Sequence, residues 1–184
     1  MLFRSTPDLR KALIEKLKQQ KEFCFDTEST NIDATQAEIV GLSISYKSHE
    51  AYYIPFPENY DAARNILHEF KVVFEDESIT KIGQNIKYDI IMLKWYDVSV
   101  QGTLFDTMIA HYLLEPDMRH NMDVLAETYL RYTPVSIEEL IGKKGAAQGN
   151  MRDVEIEKIK DYAAEDADVT FQLKEKLQPE LKRN

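Results

Sequence analysis

Phe23-Cys24-Phe25 runs directly into Asp26-Thr27-Glu28, and this hexapeptide constrains the chain more than any other segment. Side chains alternate across a β-strand, so three consecutive apolar residues are satisfied only where both faces of the sheet are covered. The strand therefore calls for helices packed on a sheet. Its end has the opposite character. Asp26 and Glu28 stand two apart and project from one face, with Thr27 opposite. Two carboxylates at the end of a buried strand make a platform for a divalent cation, although an Asp-x-Glu taken alone also describes a solvated strand end.

The remaining pattern supplies the helices. Thr6 reads as an N-cap with Pro7 at the first helical position, followed by Leu9, Leu13, Ile14 and Leu17 at helical spacing. Glu38 to Tyr46 and Glu50 to Phe56 read as strands paired across Lys47-Ser48-His49. Asp61 to Phe74 is helical, Ile79 to Gly83 a short strand, and Asn85 the N-cap of a helix to about Tyr96. A strand near Val98 to Phe105 precedes helices over Asp106–Leu114 and from Asn121 to about Arg131. Ser136 opens a brief helical turn, Gly142 to Asn150 is a glycine-containing loop, and the chain is helical from Asp153 almost to its end. Three strands, a helix, then alternating strands and helices predict an α/β fold with a mixed sheet flanked by helices.

A chain of 184 residues, 43% hydrophobic and 30% charged, suits one globular domain. Its apolar stretches are short and broken by charge, so no membrane span is expected, and Met1-Leu2-Phe3-Arg4 lacks the extended apolar core of a secretory signal. The lone Cys24 reads as a reduced core thiol, and a cytoplasmic address is expected. With 23 basic against 32 acidic residues the net charge is −9, which excludes a protein that coats duplex DNA through a broad basic face. It leaves room for an enzyme gripping a few nucleotides at a strand end, where bound metals bring the positive charge.

Two further acidic segments follow. In Asn85–Asp89 (NIKYD) the terminal residues share one helical face, and Asp89 borders the apolar run Ile90 to Leu93, where a lone carboxylate needs a partner. In Tyr162–Asp166 (YAAED) a phenol stands one turn from a carboxylate and could hold a nucleophilic water. Glu165 and Asp168 project elsewhere and read as surface charges, and Trp95 and Tyr96 as core. Bringing four carboxylates together costs about 4 kcal/mol per pair of unit charges ~4 Å apart at an effective dielectric of ~20. Divalent cations remove that cost and catalyse phosphoryl transfer, so the pattern points to a metal-dependent nuclease. Asp106 reads as a helix cap with Thr107, and the four histidines show no metal-ligand spacing.

The segments FDTES, IGQNIKYD, FDTMIAHYLL, MDVLAETYL and YAAEDADVT closely resemble the 3′–5′ proofreading exonuclease domain of bacterial DNA polymerase I (family A), of the tyrosine-containing DEDD superfamily. The resemblance runs from about Glu22 to Leu177. It implies an RNase H-like fold, a five-stranded mixed β-sheet flanked by α-helices, with the first three strands antiparallel. It implies two divalent metal ions, Mg²⁺ or Mn²⁺, with Asp26, Glu28, Asp89 and Asp166 as ligands and Tyr162 orienting the attacking water. One ion would be held by Asp26, Glu28 and Asp166; the second would be reached by Asp26 and, largely through water, by Asp89. By the same resemblance Gln84, Asn85, Tyr88 and Arg119 touch the terminal nucleotides and their phosphates, while Ile32 and Ile137 wedge against the last bases. The family often has Leu at the first wedge position and Phe at the second, so Ile137 forgoes aromatic stacking. Arg119 also reads as a solvated arginine before Asn121.

The expected activity is hydrolysis at single-stranded or frayed DNA 3′ ends, releasing nucleoside 5′-monophosphates. An RNA-trimming exonuclease resembling RNase D shares these signatures, and a non-catalytic structural module is the alternative from another class. The expected partners are a single-stranded DNA 3′ end and a polymerase domain in a parent chain; the chain reads as an excised domain in preference to a stand-alone protein, and as a monomer.

Overall fold

The structure is a computed structural model that describes residues 2–3, 5–145 and 147–183; Met1, Arg4, Ala146 and Asn184, with the readings placed on them, lie outside the described residues. In chain order the elements are β1 (Leu2–Phe3), α1 (Pro7–Leu17), β2 (Glu22–Ser29), β3 (Ile39–Lys47) and β4 (Glu50–Pro55). Then come α2 (Tyr60–Glu69), α3 (Lys71–Phe74), β5 (Thr80–Gly83), α4 (Lys87–Trp95), β6 (Leu104–Asp106) and α5 (Thr107–Leu114). The last are α6 (Met122–Leu125) running into a π-helical turn (Ala126–Leu130), α7 (Ile137–Ile141), a 3₁₀ turn (Met151–Asp153) and α8 (Ile156–Leu181).

The sheet order is β1-β4-β3-β2-β5-β6. β3 runs antiparallel to both β2 and β4, while β5 joins β2, and β6 joins β5, in parallel. These five strands are the expected mixed sheet of an RNase H-like fold. β1 adds a two-residue parallel strand at the β4 edge, too short to leave a periodicity.

The alternation in β2 decides which helix covers which face. Phe23 and Phe25 join Leu42, Ile44, Tyr52 and Ile54 in the larger core, packed against α1, α2, α3 and α4. Cys24, on the other face, packs with Ile82 and Phe171 of α8. Each fully buried large side chain contributes about 1.5–3 kcal/mol of transfer free energy, so both faces are held firmly. α8 approaches closely because its sheet-facing side carries Ala163, Ala164 and Ala167, all buried.

Several expectations need correction. Asn85 is not the cap of α4: it has φ 57°, and the helix starts after Ile86 without a side-chain cap. The helix expected over Asp61–Phe74 breaks at Phe70, whose N–H bonds Leu67 O at 3.0 Å while its ring is fully buried. The strand expected near Val98–Phe105 shrinks to Leu104–Asp106, because Gln101 N bonds Phe74 O (2.9 Å) and the chain before it wraps the α3–β5 turn. Trp95 is 53% exposed, whereas Tyr96 is core.

Candidate active site

Asp26 and Glu28 share the parity of Cys24 and therefore face α8. There they meet Asp166, presented by the same helix, and carboxylate oxygens of the three lie within 4.8 Å of one another. Glu28 and Asp166 are buried, and Asp26 is half-buried. Burial first and the Asp166 charge second hold the Asp26 carboxyl well above its usual range. Glu28 is raised by burial, then by Asp26, Asp166 and Asp89. Asp166 is pushed up to about 8, chiefly by burial, against a hydrogen bond from Tyr162 that works the other way. Glu28 Oε1 and Asp166 Oδ1 are buried without a hydrogen-bond partner. Orphaned buried oxygens of this kind cost about 1–3 kcal/mol each, more for charged groups. All-oxygen donors, crowded and unsatisfied, fit a hard divalent cation.

The backbone prepares this geometry. A register shift falls between Glu28 and Ser29, so Glu28 stands opposite Gly41 and Ser29 opposite Ile39. A side chain at Gly41 would collide with the Tyr53 ring, which occupies that space beside Glu28. Glycine is required there by close approach, not by its dihedrals.

Asp89 lies on the other side of the β2 end, in the first turn of α4. Thr27, opposite in parity to its acidic neighbours, binds it twice: Thr27 N at 2.9 Å and Oγ1 at 2.6 Å both donate to Asp89 Oδ1. Burial, then the Asp26 charge, raises the Asp89 carboxyl. Its oxygens are not part of the tight trio, so the four acids form a group of three with a tethered fourth. Tyr162, one helical turn before Asp166, is kept a neutral phenol by burial and by the surrounding carboxylates.

Asp26, Thr27, Glu28, Tyr162 and Asp166 line a cleft of about 720 Å³ together with Ile32, Asn85, Tyr88 and Ile137, whereas Asp89 is not among its lining residues. Ile32 is 89% exposed and Ile137 40%, apolar ends left facing the opening. Tyr88 OH is shared with Ser29 Oγ (2.5 Å) and donates to Asn31 O, pinning the loop that carries Ile32. Gln84 and Arg119 do not line the cleft. The Gln84 amide is engaged internally: Nε2 donates to His120 O (2.7 Å) and Oε1 accepts from Thr107. Arg119 is exposed on the neighbouring loop.

Sequence reasoning missed other parts of the site. Glu165 is not simply a surface charge; it accepts from Tyr132 OH and from Val135 N (2.8 Å), anchoring the approach to α7. Asp168 likewise accepts His49 N at 2.6 Å and tethers the β3–β4 turn to α8. Gln148, Asn150 and Asp153 also line the cleft. Asn150 carried a usable signal, an Asn before a helix, and its Oδ1 caps Arg152 N at 2.8 Å. Cys24 is buried and its thiol is pushed up by burial, which fits a core residue.

Residues 3–182 match the family model described as 3′–5′ exonuclease. The chain is 38% identical over 179 residues to DNA polymerase I of Pseudomonas aeruginosa, covering 92% of this chain and 20% of the polymerase. It thus spans about a fifth of the length of the curated relatives it matches. Among solved structures, NrnC of Brucella melitensis superposes with a TM-score of 0.75 at 21% identity, over 99% of this chain and 81% of NrnC. RNase D of Escherichia coli, described as an exoribonuclease involved in structured RNA processing, gives 0.74 at 17% identity, over 100% of this chain and 45% of its own. With the model matched over nearly its whole length and the acidic trio assembled at the end of β2, the chain belongs to the 3′–5′ exonuclease family.

Proposed function

We propose that this domain hydrolyses the terminal phosphodiester at a single-stranded or frayed DNA 3′ end, using two divalent cations, and releases nucleoside 5′-monophosphates. One observation carries the reading: Asp26, Glu28 and Asp166 converge with two buried oxygens unsatisfied, and Asp89 is held beside them by Thr27. Asp26, Glu28 and Asp166 would hold one Mg²⁺ or Mn²⁺, and Asp26 with Asp89 the other. Cations bound there supply Lewis-acid stabilisation of charge on the incoming and departing oxygens.

The chain's own residues do the rest. Tyr162, protonated throughout the working range, donates to Asp166, and its phenol oxygen is left to accept from a water and so orient it for in-line attack without acting as its base. Ile32 and Ile137 flank the cleft mouth and wedge the final bases, and Asn85 and Tyr88 meet the terminal nucleotide. Gln84 and Arg119 contribute from the adjoining loops. The water oxygen bonds to phosphorus as the P–O3′ bond breaks, the water gives up a proton to solvent and O3′ takes one up. The released nucleotide thus carries the new oxygen on its 5′ phosphate, and the shortened strand keeps a 3′ hydroxyl.

The test is an end-labelled oligonucleotide with Mg²⁺ or Mn²⁺. A ladder of shortened products is expected, abolished by Asp26→Ala and by Asp89→Ala; no ladder, or a ladder that survives both substitutions, overturns the reading. The structural likeness to RNase D gives an RNA-trimming reading its one supporting observation, and relative rates on matched DNA and RNA oligomers choose between them. A non-catalytic module is disfavoured because no carboxylate is missing. Relatives of about five times this length support a parent chain that also holds a polymerase domain. Among the described residues no helix is long and apolar enough to cross a membrane. A monomeric domain with a cytoplasmic address completes the proposal.

A further inference from the structure

We infer that Asp106 is a positioning residue for the substrate end, holding the Gly83–Ile86 loop in the backbone conformation that presents Asn85 to the cleft. The inference rests on the exonuclease reading above. Asp106 closes β6 opposite Gly83 of β5 and accepts four main-chain N–H groups. Two belong to its own helix: Met108 N at 2.9 Å and Ile109 N at 3.4 Å, both to Oδ1. That is an ordinary N-cap.

The other two belong to a different element. Asn85 N reaches Oδ1 at 3.1 Å and Ile86 N reaches Oδ2 at 3.0 Å. Asn85 has φ 57°, in the left-handed region, where a non-glycine residue needs its surroundings to hold it. α4 has no side-chain cap of its own, so one carboxylate serves the starts of both α4 and α5. The adjacent Thr107 hydroxyl lies 3.2 Å from Gly83 O and donates to Gln84 Oε1, and Gln84 in turn holds His120 O. The pair Asp106-Thr107 thereby fixes, at one point, the loop bearing Asn85 and the neighbouring loop bearing Arg119. Asp106 touches neither substrate nor the carboxylate trio, so its effect is through Asn85.

Asp106→Asn separates the two roles. Asparagine caps a helix as well as aspartate does, but its amide offers only one acceptor oxygen; with that oxygen on Asn85 N and the α5 amides, an NH₂ faces Ile86 N, which loses its acceptor. Asp106→Ser keeps a short cap on α5 and cannot span to the loop. Amide exchange should accelerate at Ile86 in Asp106→Asn and at both Asn85 and Ile86 in Asp106→Ser, while the α5 fold stays protected. KM for a single-stranded oligonucleotide should rise about tenfold with kcat changed less, as expected for lost ordering of a binding loop. Wild-type exchange and KM in a folded variant overturns the inference. So does unfolding of both variants, which would make Asp106 simply structural. If instead the wild type leaves oligonucleotides intact, the exonuclease reading falls, and the exchange measurement still reports whether Asp106 grips the loop.

Discussion

At the residue scale, the carboxylate trio trades stability for chemistry. Each acid is raised by burial and by its neighbours, and two oxygens lack partners. Asp166, pushed up to about 8 chiefly by burial, must take up a proton on folding at neutral pH, and a neutral amide removes that cost. Asp166→Asn is expected to raise the unfolding free energy in EDTA at neutral pH by roughly 1–2 kcal/mol, the usual return on relaxing a strained active site, while abolishing the nuclease. Urea unfolding of both proteins checks it, and a variant less stable than wild type under these conditions refutes the idea that burying the acid is the dominant cost. Much of this site was legible: strand parity alone put Asp26 and Glu28 on one face. The Thr27–Asp89 bond was not, because it joins residues 62 apart through a side chain that parity had assigned to the opposite face. The face opposite the trio is where Asp89 arrives, and no local pattern records that.

At the element scale, the sheet was readable where strands carried apolar runs and unreadable where long-range hydrogen bonds overrode propensity. β2, β3 and β4 fell within a residue or so of their expected ends, whereas Asn85 became a left-handed residue because Asp106, from another element, binds its N–H. The β2–β3 register is sensitive at Gly41, directly opposite Glu28. Gly41→Ala would drive the Tyr53 ring off the β3 surface into Met151 and Ile159. A loss of about 1–3 kcal/mol is expected from overpacking, with a parallel fall in exonuclease rate as Glu28 shifts; denaturant unfolding and the oligonucleotide assay read both, and an unchanged midpoint refutes it.

The α5–π-turn layer should respond to pH. His111 is buried with its Nδ1 2.7 Å from His120 Nδ1, an arrangement that admits one shared proton, and its Nε2 has no partner. Burial first, then the His120 charge, lowers His111; Glu115 and Glu180 oppose this, and the Tyr129 ring packs edge-on. The folded ring therefore refuses a proton that the unfolded chain accepts below its ordinary value of about 6.5. Stability from this group is present above that pH, is lost as pH falls through it, and levels off once the folded ring is also charged. Between about pH 7.5 and about pH 5.5 wild type should lose more stability than His111→Gln; parallel losses would show that the pair stays neutral for other reasons.

At the scale of the whole molecule, the charge balance was legible in composition, but where the acids would gather was not. The net charge is −9, and among the described residues the cleft walls contain five groups that are carboxylate or phenol beside Asp153, with no lysine or arginine. A polyanion cannot enter such a cleft on the protein's field alone, since the surrounding potential opposes it. On the two-cation proposal the positive charge that seats the phosphates inside the cleft would come from the cations, with Arg119 acting from outside it. Binding of a single-stranded oligonucleotide protected by a 3′-terminal phosphorothioate, followed by fluorescence anisotropy, should therefore weaken at least tenfold when EDTA replaces Mn²⁺, roughly the affinity that 1.4 kcal/mol represents. The same titration repeated across salt should give a shallow dependence, because a slope of about −0.7 per phosphate contact on a single strand is multiplied here by few protein cations. A steep slope with binding intact in EDTA would mean that the strand is held on a basic surface outside the cleft, and that the acidic cradle is not where the 3′ end is received.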